Sequence, residues 1–424
     1  MTTTRTAWLW WATTRLVLLM AMVTVETGVG FDLNHYRESL ADLGADGVAG
    51  TLREYPVPAL LVLAVPYALL ALIDATSYYS LVVILLAVAL DGAFLRVLLA
   101  RRIVATQGQM GGLPLPSAVW LAAVPAIGSL TYARFDLLPG VLIALALLAL
   151  VDAPRRAAVF GALATGVKYW PALVLPTLAA TLSSRVRVLV SGAVAGAFLL
   201  GVSLLLGGWD RVVSPLDYQG DRGLQIESVA ATPAMVRWAI DPAAYDVSFA
   251  RALAWEIDGP GVPVLITVST IATAALLLGM VALWALGWRC LKDFQHSLPA
   301  TIWLTLAAVS AFLVSGKVLS PQYLIWLLPA SCAGLALLED ADELRRLKRW
   351  TAALLVTAVA THVIFPHGYL ELVEHTSWSG AVVALLVLRN VLLVGLCGYA
   401  FASATRLVTR PRRRPTDHAA TAEA

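Results

Sequence analysis

The sequence predicts an all-α polytopic membrane protein, a bundle of about 11–13 transmembrane helices with loops outside the cytoplasm. The chain has 424 residues, of which 59% are hydrophobic and 13% are charged, and its mean hydropathy is +0.79. Soluble domains carry about 25% charged residues, so this chain has too little polar surface for a soluble globule. Its fourteen Trp and twelve Tyr fit a protein with two lipid–water interfaces. The composition excludes a soluble cytosolic enzyme, a disordered chain and a disulfide-rich secreted module.

Long apolar segments recur along the whole chain, and several in its first half are short for a transmembrane helix of about 20 residues. They cover residues 7–25, 58–73, 80–99, 116–130, 137–151, 157–170, 171–182, 188–206, 262–286, 298–314, 320–338, 351–364 and 378–401. No cleavage motif of small residues follows the first segment, which is therefore expected to remain as an anchor. We expect residues 1–409 to form one transmembrane domain.

Basic residues predict the orientation of these helices, because Arg and Lys favour the cytoplasmic side. Clusters at 155–156, 185–187, 345–349 and 410–414 are assigned to the cytoplasm. This assignment leaves residues 26–57 as a first outside loop and 207–261 as a large outside loop. Arg101 and Arg102 would then lie outside the cytoplasm, against the expected orientation, unless one short segment is re-entrant and does not cross the membrane. The tail at 410–424 is expected to be a disordered basic segment against anionic lipid headgroups.

The first outside loop carries candidate catalytic and binding residues. Asp32, followed by His35 and Tyr36, comes a few positions after the first helix. A carboxylate there can accept a proton from the hydroxyl of a lipid-linked substrate. Glu54 and Tyr55 end the loop as further candidates. The alternatives are a solvated carboxylate for Asp32 and a plain interfacial boundary for the Tyr-Pro step.

Two further candidates lie at helix boundaries in the middle of the chain. Arg134 and Asp136 are separated by one residue. We expect them to bind substrate, and the alternative is a purely structural ion pair. Lys168 ends an apolar segment, where a charge is often functional, although a lysine near an interface can also extend its ammonium to water.

The later outside segments add candidates for a phosphate site. Arg222 can bind a phosphate through two hydrogen bonds, while Glu227 holds the Arg222 side chain in place. Lys317, Gln322 and Tyr323 lie on a short turn between two apolar segments. Cations from several separate segments could converge on one lipid phosphate.

Other polar residues are assigned structural roles. The three cysteines are isolated along the chain, which predicts neither a zinc site nor a disulfide framework. His362, His367 and His375 are not spaced like metal ligands and are interpreted as interfacial or solvated. Asp91 lies within an apolar segment and is expected to face the bundle interior. The net charge of +3 comes without a basic stripe, so no nucleic-acid partner is expected.

Taken together, these segments resemble glycosyltransferase family 87, the actinobacterial membrane transferases of the GT-C fold that use polyprenyl-phosphate sugars. The resemblance spans nearly the whole chain and keeps the motifs in order. It rests on FDLNHY at 31–36, REYPVP at 53–58, RFDLLP at 134–139, KYWP at 168–171, RGLQIES at 222–228 and SGKVLSPQYLIW at 315–326. The one departure is Val57, which stands where the family has a second proline directly.

The resemblance implies an inverting transfer of a sugar, most often mannose, from a polyprenyl-phosphate donor to an envelope glycolipid or lipoglycan outside the cytoplasmic membrane. Asp32 matches the general base of the family. Physical reasoning adds Lys168, Arg222 and Lys317, with Arg134, as cations for the departing phosphate. No Asp-x-Asp motif lies near Asp32, so neither a metal nor another cofactor is expected. The alternatives are an arabinofuranosyltransferase of the same family, a transporter or flippase of lipid-linked sugars, and a structural subunit of envelope assembly.

Overall fold

The computed structural model describes residues 3–101, 108–180, 185–220, 222–250, 253–291 and 294–409. Almost all of the described chain is helical, with only short strands, which confirms the all-α class. The basic tail at 410–424 lies outside the described residues, as does Arg102.

The helices, in chain order, are α1 Thr3–Thr24, α2 Phe31–Ala41, α3 Leu43–Gly50, α4 Val57–Ala71, α5 Tyr79–Ala100, α6 Leu115–Ile127, α7 Leu130–Ala133, α8 Leu137–Asp152, α9 Pro154–Val167, α10 Leu175–Ala180, α11 Arg185–Gly220, α12 Thr232–Ile240, α13 Val262–Cys290, α14 Phe294–Ser315, α15 Leu327–Leu337, α16 Ala341–His362, α17 Tyr369–Val373 and α18 Ser379–Thr409. The strands are β1 Gln109–Met110, β2 Leu113–Pro114, β3 Leu224–Gln225, β4 Asp246–Ala250 and β5 Ala254–Asp258.

Seven helical segments among the described residues are long and apolar enough to cross a membrane, so the protein is a multi-pass membrane protein. They are Thr4–Thr24, Thr76–Ala100, Arg185–Gly220, Val262–Cys290, Ser297–Ser315, Ala341–His367 and Ser379–Thr409. Shorter apolar helices such as α6, α8 and α15 lie among them. The segment at Ser297–Ser315 is mostly buried, whereas α11 and α13 present exposed Leu and Val side chains, which is the pattern of an inner helix and two lipid-facing helices.

The bundle has two chemically different ends. At the basic end, Arg101 donates to the carbonyl of Leu148 and lies 3.8 Å from the carboxylate of Asp152. Arg185, at the start of α11, donates to the Trp288 carbonyl near the end of α13 at 2.8 Å. The other end, called the site end below, holds the end of α1, helix α2 and the starts of α8 and of the Pro321–Trp326 turn.

Helix α4 accounts for the predicted conflict over Arg101. It has 15 residues, a length of about 22 Å, which is short of the roughly 30 Å hydrocarbon layer. The hydroxyl of Tyr79, the first residue of α5, donates to the Leu63 carbonyl in α4 at 3.2 Å. Both residues share one apolar cluster with Tyr36 of α2. Helices α4 and α5 thus both begin at the site end. Because α5 runs from there across the bundle, Arg101, which follows it, lies at the basic end.

A buried polar node holds the middle of the bundle together. The Asp91 carboxylate accepts hydrogen bonds from Arg15 Nε at 2.8 Å, Trp11 at 2.9 Å, and Trp120 and Tyr132 at 2.7 Å. Asp91 is fully buried, so the prediction that it faces the bundle interior is confirmed. The charge is tolerated at this depth because a guanidinium and three further donors satisfy it.

Both predicted outside loops contain regular structure. Residues 26–57 form the two short helices α2 and α3, and α11 continues through Gly220, well past the expected loop start at residue 207. At Gly208 the φ angle of +73° breaks α11 and changes its direction. Beyond it, β3 pairs with β5 and β5 pairs with β4, all antiparallel, to form a small sheet over the site end.

Candidate functional site

A cavity of about 420 Å³ opens at the site end. Its volume is within the range of small-molecule pockets, about 300–1,000 Å³. Ten of the thirteen predicted site residues line it, and they come from six separate parts of the chain. These residues are Asp32, His35, Tyr36, Glu54, Tyr55, Arg134, Lys168, Arg222, Gln322 and Tyr323.

Helix α2 supplies three of these side chains from one face. Asp32, His35 and Tyr36 stand at i, i+3 and i+4, which aligns them on a helix surface. His35 Nε2 lies 2.8 Å from Glu54 Oε1, and the Tyr36 and Tyr55 hydroxyls are also 2.8 Å apart. Each contact joins residues 19 positions apart. The two ends of the predicted first loop therefore form one wall of the cavity.

Arg211, which the sequence reasoning missed, holds this wall in place. Its guanidinium is buried and donates to Ser214 Oγ and to four backbone carbonyls, those of Val48, Thr51, Leu52 and Tyr55, at 2.7–3.2 Å. The break at Gly208 precedes it by one turn. Arg211 is thus a positioning residue for Glu54 and Tyr55.

Asp32 and Arg134 form an ion pair inside the cavity. The two side chains are 22% and 10% exposed, so both can reach a ligand while remaining mostly shielded from water. Burial lowers the pKa of Arg134 to about 10, with Asp136 opposing the shift, so the guanidinium stays charged at neutral pH. The Nε of Arg134 is buried without a hydrogen-bond partner among the described residues and is a free donor in the wall.

Lys168 lies in a cage of aromatic rings. Its ammonium is 5.0 Å from the ring centre of Trp326, 5.2 Å from that of Tyr323 and 5.8 Å from that of Tyr55. Rings at these distances attract a cation through their negative faces. Lys168 also forms an ion pair with Asp136, which accepts from Trp326 Nε1 at 2.7 Å.

Asp136 therefore corrects one sequence prediction. It was expected to bind substrate, but it is only 1% exposed and does not line the cavity. Its carboxylate faces Lys168 and Trp326 because the start of α8 packs against the Pro321–Trp326 turn. The residue is a positioning group for the lysine.

Glu227 and Lys317 also differ from expectation, since neither lines the cavity. Glu227 is fully buried and accepts from Arg389 at 3.2 Å, so its partner lies inside the protein and not in the cavity. Lys317 donates from its ammonium to the Gly220 carbonyl at 2.7 Å. Between them, the backbone of Gln225 donates to the Lys317 carbonyl at 3.0 Å, which joins the two late motifs into one wall.

Several cavity residues carried no usable signal in the sequence. They are aromatic side chains in segments read as loops or helix ends, and each becomes part of the site only through packing. They include Phe249 and Trp255 of the small sheet and Phe365 and Tyr369 beyond α16. Burial raises the pKa of Tyr369, so its hydroxyl remains protonated and available as a hydrogen-bond donor.

Beside the cavity, three potential metal ligands converge. Glu26 Oε1 lies 2.7 Å from His362 Nε2 and 3.3 Å from His367 Nε2. Burial alone would raise the pKa of Glu26, but hydrogen bonds from Ser129 and His362 hold it below its usual value. The histidines were interpreted as interfacial, because spacing along the chain cannot reveal a partner 336 residues away.

The arrangement puts two carboxylates, Asp32 and Glu54, in a partly dry cavity with three cations, Arg134, Lys168 and Arg222. Such a cavity can bind an anionic group and accept a proton next to it. Comparison with protein-family models, with curated proteins and with solved structures finds no match to this chain.

Proposed function

We propose that this protein is a membrane glycosyltransferase that transfers a sugar, mannose in the first instance, from a polyprenyl-phosphate donor to an envelope glycolipid or lipoglycan. The transfer takes place on the extracytoplasmic face and inverts the anomeric centre. The proposal joins the motif resemblance to glycosyltransferase family 87, and the GT-C fold it implies, with the geometry of the cavity.

The observation that carries the proposal is the grouping of Asp32 with Arg134, Lys168 and Arg222 around one cavity. A polyprenyl-phosphate sugar presents a phosphate diester beside a reactive anomeric carbon at the membrane surface. Fixed cations stabilise the negative charge that develops on the departing phosphate, and they do so most effectively in a shielded site. A multi-pass bundle keeps such a site next to the lipid tail of the donor.

The proposed reaction is a single displacement. An acceptor hydroxyl forms a bond to the anomeric carbon while its proton passes to the Asp32 carboxylate. The bond from the anomeric carbon to the phosphate oxygen breaks, and its electron pair leaves with the polyprenyl phosphate. Arg134 and Lys168 neutralise that phosphate, so the chemistry needs no nucleotide and no covalent enzyme intermediate.

The buried charges favour an enzyme over a transporter. Transporters place functional ionisable groups near the bilayer midplane. Here the mid-bundle pair of Arg15 and Asp91 is fully satisfied by protein groups, whereas the cavity charges collect at one end. An arabinofuranosyl donor fits the same chemistry and is an outcome of the test below.

The test is transfer by the purified protein in detergent or nanodiscs. Labelled polyprenyl-phosphate mannose and, separately, polyprenyl-phosphate arabinofuranose are incubated with a panel of envelope glycolipids. We expect a labelled, more polar glycolipid with inverted anomeric configuration. Transfer only from the arabinose donor would reassign the sugar, and absence of transfer from both donors would contradict the proposal.

The proposed side of the membrane is testable with an impermeant maleimide on intact cells. Glu38 on α2 is 71% exposed and lies at the site end, whereas the exposed Cys290 lies at the basic end. We expect Glu38→Cys to be labelled from outside while Cys290 is protected until the cells are permeabilised. Labelling of Cys290 alone from outside would place the site in the cytoplasm.

A further inference from the structure

Three side chains from opposite ends of the sequence meet beside the cavity at the site end. Glu26 follows α1, His362 ends α16, and His367 comes one short turn later. Their ligand atoms all lie within 4.8 Å of one another, and this is the one such group of three among the described residues. Two imidazoles and one carboxylate are a donor set typical of zinc sites with three protein ligands.

The surroundings hold the carboxylate in position for a shared ligand. Glu26 Oε2 accepts from the Ser129 backbone N–H at 3.3 Å and also from the Ser129 hydroxyl. Its other oxygen, Oε1, is thereby directed at both histidine Nε2 atoms. Hydrogen bonds of this kind orient metal-binding carboxylates and raise metal affinity.

The backbone also makes room for the cluster at Gly128. Its φ angle is +83°, and a Cβ placed there would lie 2.3 Å from His362 Nε2. Any other residue would push the imidazole away from Glu26. The close approach of the backbone therefore fixes the position of the ring that completes the donor set.

The two distances from the Glu26 carboxylate to the histidines are close to those of a tetrahedral site. With zinc bonds of about 2.0–2.1 Å, neighbouring ligand atoms stand roughly 3.3 Å apart. The separation of Glu26 Oε1 and His367 Nε2 is 3.3 Å, and that of Glu26 Oε1 and His362 Nε2 is 2.7 Å. The second pair has to open by a few tenths of an ångström, and the two histidine nitrogens lie within 4.8 Å of each other. His367 is 43% exposed, so an ion can enter from its side.

We propose that Glu26, His362 and His367 bind one zinc ion that clips the end of α1 to the end of α16 at the edge of the cavity. Three protein ligands leave a fourth position for water. The ion holds the site end together and takes no part in the displacement at Asp32. The inference rests on the cluster alone and does not depend on the proposed glycosyl transfer.

The experiment measures zinc binding by the full-length protein after removal of bound metals with a chelator. Zinc chloride is added in competition with a chromophoric chelator, and the unfolding temperature is recorded with and without the metal. We expect one zinc per chain and a higher unfolding temperature, because a ligand that binds only the folded state stabilises it. Cobalt(II) in place of zinc should give the visible absorption bands of a tetrahedral site.

Matched variants locate the ion. His367→Ala removes a half-exposed ligand without disturbing the core and should abolish the zinc-dependent shift. Ser129→Ala should weaken zinc binding by about 10–100-fold, the usual cost of losing a supporting hydrogen bond. His375→Gln is the control, since His375 Nε2 lies 3.3 Å from the Ala239 carbonyl oxygen and the residue is outside the cluster.

Three results would overturn the proposal. The first is a wild-type unfolding temperature that zinc does not change. The second is unaltered zinc affinity in His367→Ala, and the third is loss of binding in the control His375→Gln. The first result would leave Glu26 in contact with the two histidines without a metal.

Discussion

Arg211→Lys tests the claim that one buried guanidinium positions residues 48–55, which end in the cavity-wall residues Glu54 and Tyr55. Arg211 makes hydrogen bonds to four backbone carbonyls and to Ser214 Oγ, and its side chain is 1% exposed. A lysine keeps the charge but has three donors on a single atom, so we expect two of these carbonyls to lose their partner. A buried acceptor without a partner costs about 1–3 kcal/mol, which gives roughly 2–6 kcal/mol for the local opening of this wall.

Hydrogen–deuterium exchange of the purified protein measures that opening directly. A loss of about 2 kcal/mol corresponds to exchange that is roughly 30-fold faster for the amides of residues 48–55. Arg237→Lys on α12 is the matched control, because Arg237 is exposed. Exchange in this segment that is equally slow in Arg211→Lys and wild type would refute the assigned role of the guanidinium.

Three further predictions address the cation cage, the late motif and the glycine beside the histidine cluster. Lys168→Ala should lower kcat for sugar transfer by about 100-fold, as expected for a group that stabilises developing charge. Lys348→Ala, at the opposite end of the bundle, is the control and should leave kcat unchanged. Equal rates in the two variants would show that Lys168 has only an interfacial role. Burial raises the pKa of Glu227 to about 7 against the opposing charge of Arg389, so the folded state holds a proton that the unfolded state has released. The free energy of unfolding should therefore fall as pH rises from about 5 to 8, a trend that calorimetry should find in wild type and not in Glu227→Gln. Gly128→Ala should cost about 1–3 kcal/mol through its backbone conformation alone, and thermal unfolding should show no such loss in the control Gly380→Ala, where a Cβ meets no atom within 4 Å.

The membrane class and most helices follow from hydropathy alone, because an apolar segment of this length has few other stable conformations in lipid. Helix boundaries were harder to predict. The segment expected at 351–364 lies in α16 as far as His362, and α16 begins at Ala341 and includes the basic cluster at 345–349. A local signal was present: the Asp340 side chain accepts from the backbone N–H groups of Asp342 and Glu343 and caps the helix.

Helices α2 and α3 were predicted as loop for a different reason. They have 11 and 8 residues, so neither reaches the length by which a transmembrane helix is recognised. Their stability comes from packing, since Leu33, Tyr36 and Leu40 of α2 are buried in a cluster with α4 and α5. Tertiary contacts of this kind leave little trace in local sequence.

In the candidate site, too, the individual residues could be predicted from the sequence but their contacts could not. Charged and polar residues in motifs could be selected one by one, and ten of those selected line a single cavity. Their pairing could not be predicted, because contacts such as that of Asp32 with Arg134 join distant segments. Arg211 and Glu26 were missed for this reason, since each gains its role only from partners contributed by other helices.

Single-turnover transfer with Asp32→Asn measures whether Asp32 accepts the proton of the acceptor hydroxyl. The labelled polyprenyl-phosphate donor and the acceptor found active with wild type are used, with Asp42→Asn at the end of α2 as control. We expect a rate at least about 100-fold lower for Asp32→Asn, with donor binding and unfolding temperature retained, and a normal rate for the control. Transfer by folded Asp32→Asn at the wild-type rate would show that Asp32 is not the proton acceptor.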